Sequence, residues 1–182
     1  HFDPKPFFKY TVQSRSLIHN ANLMGASIAA RLGEDPALPV ALRQRLMAAS
    51  EAAVQATVAC QRSDGSWAYG EDSNLKWIDG FHTAYVLLRL EEASVAGISG
   101  LNEAIDRGAA FYFRSLFQDG VPIYLLENPR RRDGNNAATG LRMASWGRKH
   151  GYIDHRFADS VLRRVESDGW IEAATGVPGG RM

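Results

Sequence analysis

Ser63 to Trp67 reads SDGSW, and this pentapeptide decides the fold. Asp-Gly is a turn signal: glycine permits a positive φ at a helix end, and aspartate bonds to nearby backbone. The same turn returns as QDGVPIY at Gln118–Tyr124 and as SDGW at Ser167–Trp170. Gly65 to Gly120 is 55 positions and Gly120 to Gly169 is 49, a period in the range of helical repeat arrays. Each turn closes an amphipathic stretch. Before the first, Leu42, Leu46, Ala49, Ala53, Ala56 and Cys60 step by four and three along one helix face, while Arg43, Arg45 and Glu51 point away. Leu101, Ile105, Gly108 and Tyr112 precede the second turn in the same way, and Phe157, Val161, Leu162 and Val165 the third.

Between these stretches lie ANLMGASIAARL (Ala21–Leu32), FHTAYVLLRL (Phe81–Leu90) and NNAATGLRMASW (Asn135–Trp146), apolar on nearly all sides. Such helices are expected to be buried between layers. Gly-bearing breaks (GEDPALP, GISG, GRKHG) end each of them, as helix stops do. The plan is an inner helix, a short loop, an outer helix, an Asp-Gly turn and a long loop, three times over. The expected fold is all-α, built of α/α hairpins.

The totals agree. The chain has 182 residues, 45% apolar and 23% charged, enough for a single domain over residues 1–182 with a real core. No apolar run is long enough to span a membrane. A net charge of +1 gives no general attraction to nucleic acid or anionic lipid. The single cysteine, Cys60, excludes an internal disulfide and a Cys-rich zinc site, and fits a reducing, cytoplasmic compartment. A start at His1 without Met and a stop at GVPGGRM, where another helix would follow, lead us to expect a piece of a longer chain.

Aligned at their starts, the inner helices superpose HNAN (His19–Asn22), DGFH (Asp79–His82) and DGNN (Asp133–Asn136). Polar groups gather at the same end of each, and in a curved array those ends converge. Convergent polar groups over an apolar wall are the usual form of a ligand site.

QRSDGSW is similar to the QxxDGxW element of the terpene-cyclase and prenyltransferase α/α-toroid superfamily. More closely, DGSWAYG…WIDGFHTAYVL, followed by LFQDGVPIY and an Asp-led inner helix, resembles the VpsJ-type bacterial polysaccharide-biosynthesis proteins, from about Asn20 to Trp170. The resemblance implies a toroid-like array of three hairpins, about half of an (α/α)6 barrel. It also implies a role in exopolysaccharide or cell-surface glycan synthesis with a carbohydrate substrate. Around Asp133 the family pattern has a Pro-Ile-Asp-Ile-His type entrance, whereas this chain reads RRRDGNN, with Asn136 in the histidine's place.

The candidate chemistry has structural alternatives. Asp79 suits an N-cap; with His82 three residues on, it also suits an imidazole-orienting pair for acid/base work. Asp133 is a second carboxylate of the same type. Two carboxylates on one sugar serve glycoside hydrolysis, or proton abstraction in a lyase or epimerase; both can equally be caps. Asn22, Asn136 and Tyr85 are candidate hydroxyl binders. Trp67, Tyr69, Trp77 and Tyr124 are candidate sugar-stacking rings, or loop packing. Arg131 and Arg132, within Arg130–Asp133, precede a helix start where positive charge is unfavourable unless an anion binds; otherwise they are a solvated loop.

No Asp-x-Asp-Asp or Asp-Asp-x-x-Asp cluster serves terpene chemistry, so isoprenoid chemistry rests on fold analogy. Cys60 has no His and Asp beside it, and His19, His82, His150 and His155 lack ligand spacing on one helix. No metal or cofactor is expected. There is no phosphate loop, dinucleotide fingerprint or nucleophile elbow. The reading is a carbohydrate-handling protein, leaning to an enzyme. Its alternative is a non-catalytic glycan- or partner-binding module, with a partner or a second copy completing the ring.

Overall fold

The computed structural model describes residues 6–131 and 133–167; Arg132, and the third Asp-Gly turn beyond Ser167, lie outside the described residues. Three aspartates start helices. Asp79 accepts the His82 backbone N–H at 2.7 Å, Asp133 that of Asn136 at 2.8 Å and Asp154 that of Phe157 at 2.8 Å, each satisfying a first-turn donor. The helices are α1 (His19–Glu34), α2 (Val40–Val58), α3 (Gly80–Val95), α4 (Asn102–Ser115), α5 (Gly134–Lys149) and α6 (His155–Ser167). Gly97 and Gly151, at φ 91° and 77°, turn the chain just beyond α3 and α5.

The fold is all-α. Helices α1 and α2, α3 and α4, and α5 and α6 pack as hairpins, while α3 lies between α1 and α5. The inner helices therefore neighbour one another in chain order. The core is centred on α3, whose Ala84, Leu87 and Leu90 are fully buried. No helix among the described residues is long and apolar enough to cross a membrane.

One expectation is corrected. Met24, Ile28 and Leu32, one turn apart on α1, are 44%, 55% and 44% exposed. Helix α1 packs on α2 and α3 and takes Phe8 against Gly25, but its Met24–Ile28–Leu32 stripe stays open among the described residues, so it is not enclosed all round.

The Asp-Gly turns interlock the hairpins. Gly65 has φ 92°, and a Cβ there would lie 2.3 Å from the Arg107 carbonyl oxygen of α4. The second turn joins β1 (Phe117–Gln118) to β2 (Val121–Pro122), an antiparallel pair. Positive φ at Asp119 (51°) and Gly120 (78°) makes it the mirror-image turn that suits strand twist. A Cβ on Gly120 would meet Ser160 of α6 at 3.0 Å. Both described turns thus rest on the outer helix of the following hairpin.

Gly65→Ala is expected to cost clearly more than Gly97→Ala. Gly97 has a similar φ, 91°, but open space around it, so its substitution carries only backbone strain of about 1–2 kcal/mol. At Gly65 the Arg107 backbone must also shift, adding roughly 1–3 kcal/mol. Urea denaturation of both variants measures the difference; equal losses would mean that the turn does not bear on α4.

Candidate functional site

Two long loops bring the inner-helix starts together. The first begins at Gln61, whose amide donates to the carbonyls of Gly65 at 3.0 Å and Ala104 at 2.9 Å. It then pairs Gly70 with Ile18 ahead of α1, and Glu71 N–H donates to the Leu17 carbonyl at 3.0 Å. A 3-10 turn at Ser73–Leu75 reverses it, and Tyr69 N–H donates to the Trp77 carbonyl at 2.8 Å. The second loop follows β2: Gly80 N–H donates to the Tyr124 carbonyl at 2.9 Å, and Leu126 N–H to the Ile78 carbonyl at 3.0 Å. Gly80 is required here, because a Cβ would lie 2.4 Å from the Ile123 carbonyl and 2.6 Å from Asn136 Oδ1. The starts of α3 and α5 therefore touch.

Asp79 is the centre of this end of the molecule. It is 2% exposed, and its carboxylate accepts from the His82 backbone, from His82 Nδ1 at 2.7 Å and from Trp77 Nε1 at 3.2 Å. The ring proton shared with Asp79 sits on Nδ1, so in neutral His82 Nε2 is the proton acceptor. The His82 side chain is 24% exposed. Tyr69 stacks on Trp77 with centroids 4.5 Å apart and presents its edge to His82 at 4.5 Å. Phe81 also meets the His82 ring, and Tyr85 packs on Phe81 at 4.9 Å. Burial, aided by the charges of Tyr10 and Asp79, pushes the Tyr69 phenol above its ordinary range, so it keeps its proton.

His19, Asn20, Trp67, Tyr69, Asp79 and His82 line one narrow crevice between the starts of α1 and α3, closed too tightly to admit a water molecule. Of the expected site residues, Trp67, Tyr69, Asp79 and His82 meet there, and Trp77 stands behind them. Asp133 does not line it and is engaged as the cap of α5. Tyr124 is half-buried beneath the Arg131 guanidinium, which lies 5.0 Å from its ring; Arg131 is itself exposed. Asn136 is 1% exposed, and neither of its amide atoms has a hydrogen-bond partner among the described residues.

Two assignments are corrected. Asn22 is fully buried. Its amide donates to Ala53 O at 2.7 Å and Thr57 Oγ1 at 2.9 Å and accepts from Phe8 N–H at 2.8 Å. It ties α1 to α2 and has nothing left for a sugar hydroxyl. Trp67 is 1% exposed with its indole N–H on Thr57 O at 2.9 Å, so it packs the core at the wall of the crevice and offers no open face for a sugar to stack on.

Sequence reasoning passed over His19. It is 1% exposed; Nε2 lies 3.0 Å from Glu71 Oε1, and Nδ1 lies 3.4 Å from Thr57 Oγ1. Burial lowers its pKa against the opposing pull of Glu71, which favours the neutral ring. Burial alone would raise Glu71, but hydrogen bonds from Lys76 and His19 outweigh it and hold the carboxyl below its usual range. Cys60 was expected on an outer-helix face without a His or carboxylate near it. It lies two residues beyond α2, and its sulfur stands with His19 and Glu71 in a cluster whose ligand atoms are all within 4.8 Å of one another.

Compared with known proteins, the chain matches no family model, no curated protein and no solved structure.

Proposed function

We propose that this is a carbohydrate-handling protein of exopolysaccharide or cell-surface glycan synthesis, with acid/base chemistry at the starts of its inner helices. The pathway, and the idea that the hairpins are half of an (α/α)6 ring, rest on the resemblance of DGSWAYG…WIDGFHTAYVL to the VpsJ-type proteins. The chemistry rests on one observation: buried Asp79 holds His82 Nδ1 at 2.7 Å while the His82 ring remains partly exposed.

His82, rather than Asp79, is the proton carrier in this reading. Both Asp79 oxygens already accept hydrogen bonds from His82, and Oδ2 also accepts from Trp77. His82 Nε2 would take a proton from the sugar, and Asp79 would stabilise the imidazolium so formed. The Tyr69–Trp77 stack supplies amphipathic rings of the kind that pack on sugar faces. Arg131 favours an anionic sugar, since the Tyr124 it covers is bonded through its carbonyl to the start of α3.

The test is ligand-observed NMR with neutral and uronic-acid oligosaccharides. Saturation transfer and new anomeric signals are expected from the native protein. Turnover should fall about 10²–10⁴-fold in Asp79→Asn and His82→Gln, the usual worth of a positioned acid/base group. Asparagine is as good an N-cap as aspartate, so Asp79→Asn should still fold, with a modest fall in melting temperature for the lost Trp77 bond; a variant that unfolds would return Asp79 to a purely structural role.

The open Met24–Ile28–Leu32 stripe favours a second reading, a non-catalytic module whose ring is completed by another chain. Saturation transfer without new signals would select it.

A further inference from the structure

We propose that His19, Cys60 and Glu71 form a binding site for one zinc-type divalent cation. The three donors, an imidazole nitrogen, a thiol sulfur and a carboxylate oxygen, come from the start of α1, the turn after α2 and the loop before the 3-10 turn. Their ligand atoms already lie within 4.8 Å of one another. Bonds of about 2.0–2.3 Å in a tetrahedral zinc site separate ligand atoms by roughly 3.3–3.8 Å. His19 Nε2 and Glu71 Oε1, 3.0 Å apart, are close to that spacing. The longest edge of the cluster needs to close by only about an ångström, within reach of a rotation about the side-chain bond of half-buried Cys60.

The surroundings are those of a ligand set. His19 Nδ1 faces Thr57 Oγ1 at 3.4 Å, the outer hydrogen bond that orients a metal-bound imidazole through its other nitrogen. Lys76 holds Glu71 Oε2 at 2.7 Å, leaving Oε1 for single-oxygen ligation. A His–Glu–Lys hydrogen-bond chain accounts for three of these groups without a metal, but it gives the thiol no role. Mixed nitrogen, sulfur and oxygen donors select zinc over magnesium or calcium. Three protein ligands leave a fourth position for water or an exogenous ligand. On binding, the Cys60 thiol proton leaves to solvent, and the imidazole proton moves from Nε2 to Nδ1, where Thr57 accepts it. The proposal stands independently of the carbohydrate reading, although His19 also lines the crevice of Asp79 and His82.

The experiment uses tag-free, chelator-stripped protein titrated with Co2+, then with Zn2+. One equivalent of Co2+ should bind with a thiolate-to-cobalt charge-transfer band in the near ultraviolet and the visible bands of a four-coordinate site. Zn2+ should abolish both and slow alkylation of Cys60. Cys60→Ser should lose the charge-transfer band, and Glu71→Gln should keep it with affinity reduced at least about tenfold. Absence of the band in the native protein, or its survival in Cys60→Ser, would overturn the site. So would alkylation of Cys60 at an unchanged rate with Zn2+ present.

Discussion

Trp67→Ala is expected to destabilise the protein by about 3–5 kcal/mol, the range for removing a fully buried large aromatic side chain. Trp67 is 1% exposed and lies across two hairpins. Its indole N–H donates to the Thr57 carbonyl at the end of α2. Its ring faces Gly108 of α4 so closely that a Cβ there would come within 2.6 Å of Trp67 and 2.8 Å of Leu87. Alanine would leave a cavity between the hairpins and take the indole donor from the Thr57 carbonyl, which would keep only the Cys60 N–H at 3.1 Å. Since domains of this size are stable by only about 5–15 kcal/mol, Trp67→Phe should be measured beside it. Phenylalanine keeps most of the volume and loses the N–H, for a cost of about 1 kcal/mol, since the Thr57 carbonyl keeps the Cys60 donor. Urea unfolding reads both; a Trp67→Ala midpoint close to that of the native protein would mean that Trp67 does not join the hairpins.

Asn22→Leu and Asn136→Leu should diverge, although the sequence puts the two asparagines in equivalent places. Leucine branches as asparagine does, but it is bulkier and has no polar atoms. At position 22 it would remove the bonds that Ala53 O, Thr57 Oγ1 and Phe8 N–H now make to the amide. Ala53 O keeps its bond within α2 and Thr57 Oγ1 keeps His19, so three lost hydrogen bonds of about 1 kcal/mol each give a total near 3 kcal/mol. At position 136 the amide has no partner among the described residues. Leucine there should cost clearly less, because the unbonded amide it removes is itself unfavourable to bury and only the overpacking of a larger side chain against Gly80 remains. Thermal melts of the two variants decide this, and an Asn136→Leu loss equal to that of Asn22→Leu would indicate a bound water or ligand on Asn136.

The helical plan was legible because its punctuation is local. Asp79 and Asp133 announce helix starts, Gly65 and Gly120 announce turns, and apolar spacing finds the helix bodies between them. Periodicity reports that Met24, Ile28 and Leu32 are apolar, but not whether another element covers them. The Asp79–His82 pair was legible for the same local reason, since residues three apart share a helix face. His19, Cys60 and Glu71 were not, because 41 and 11 positions separate them and only the packing of three elements brings them together. Asn22 misled because a polar residue at a helix start looks alike whether it faces a cleft or the neighbouring helix.

The resting of both described Asp-Gly turns on the next outer helix also makes stability directional. The first hairpin is finished only when α4 arrives beneath Gly65 and Trp67, and the second only when α6 arrives beneath Gly120. Neighbour terms of this kind couple the units like links in a one-dimensional chain. Amide exchange should accordingly be slowest in α3, supported from both sides, and should quicken towards either terminus. A hairpin excised alone would lack the surface on which its own turn is built to rest.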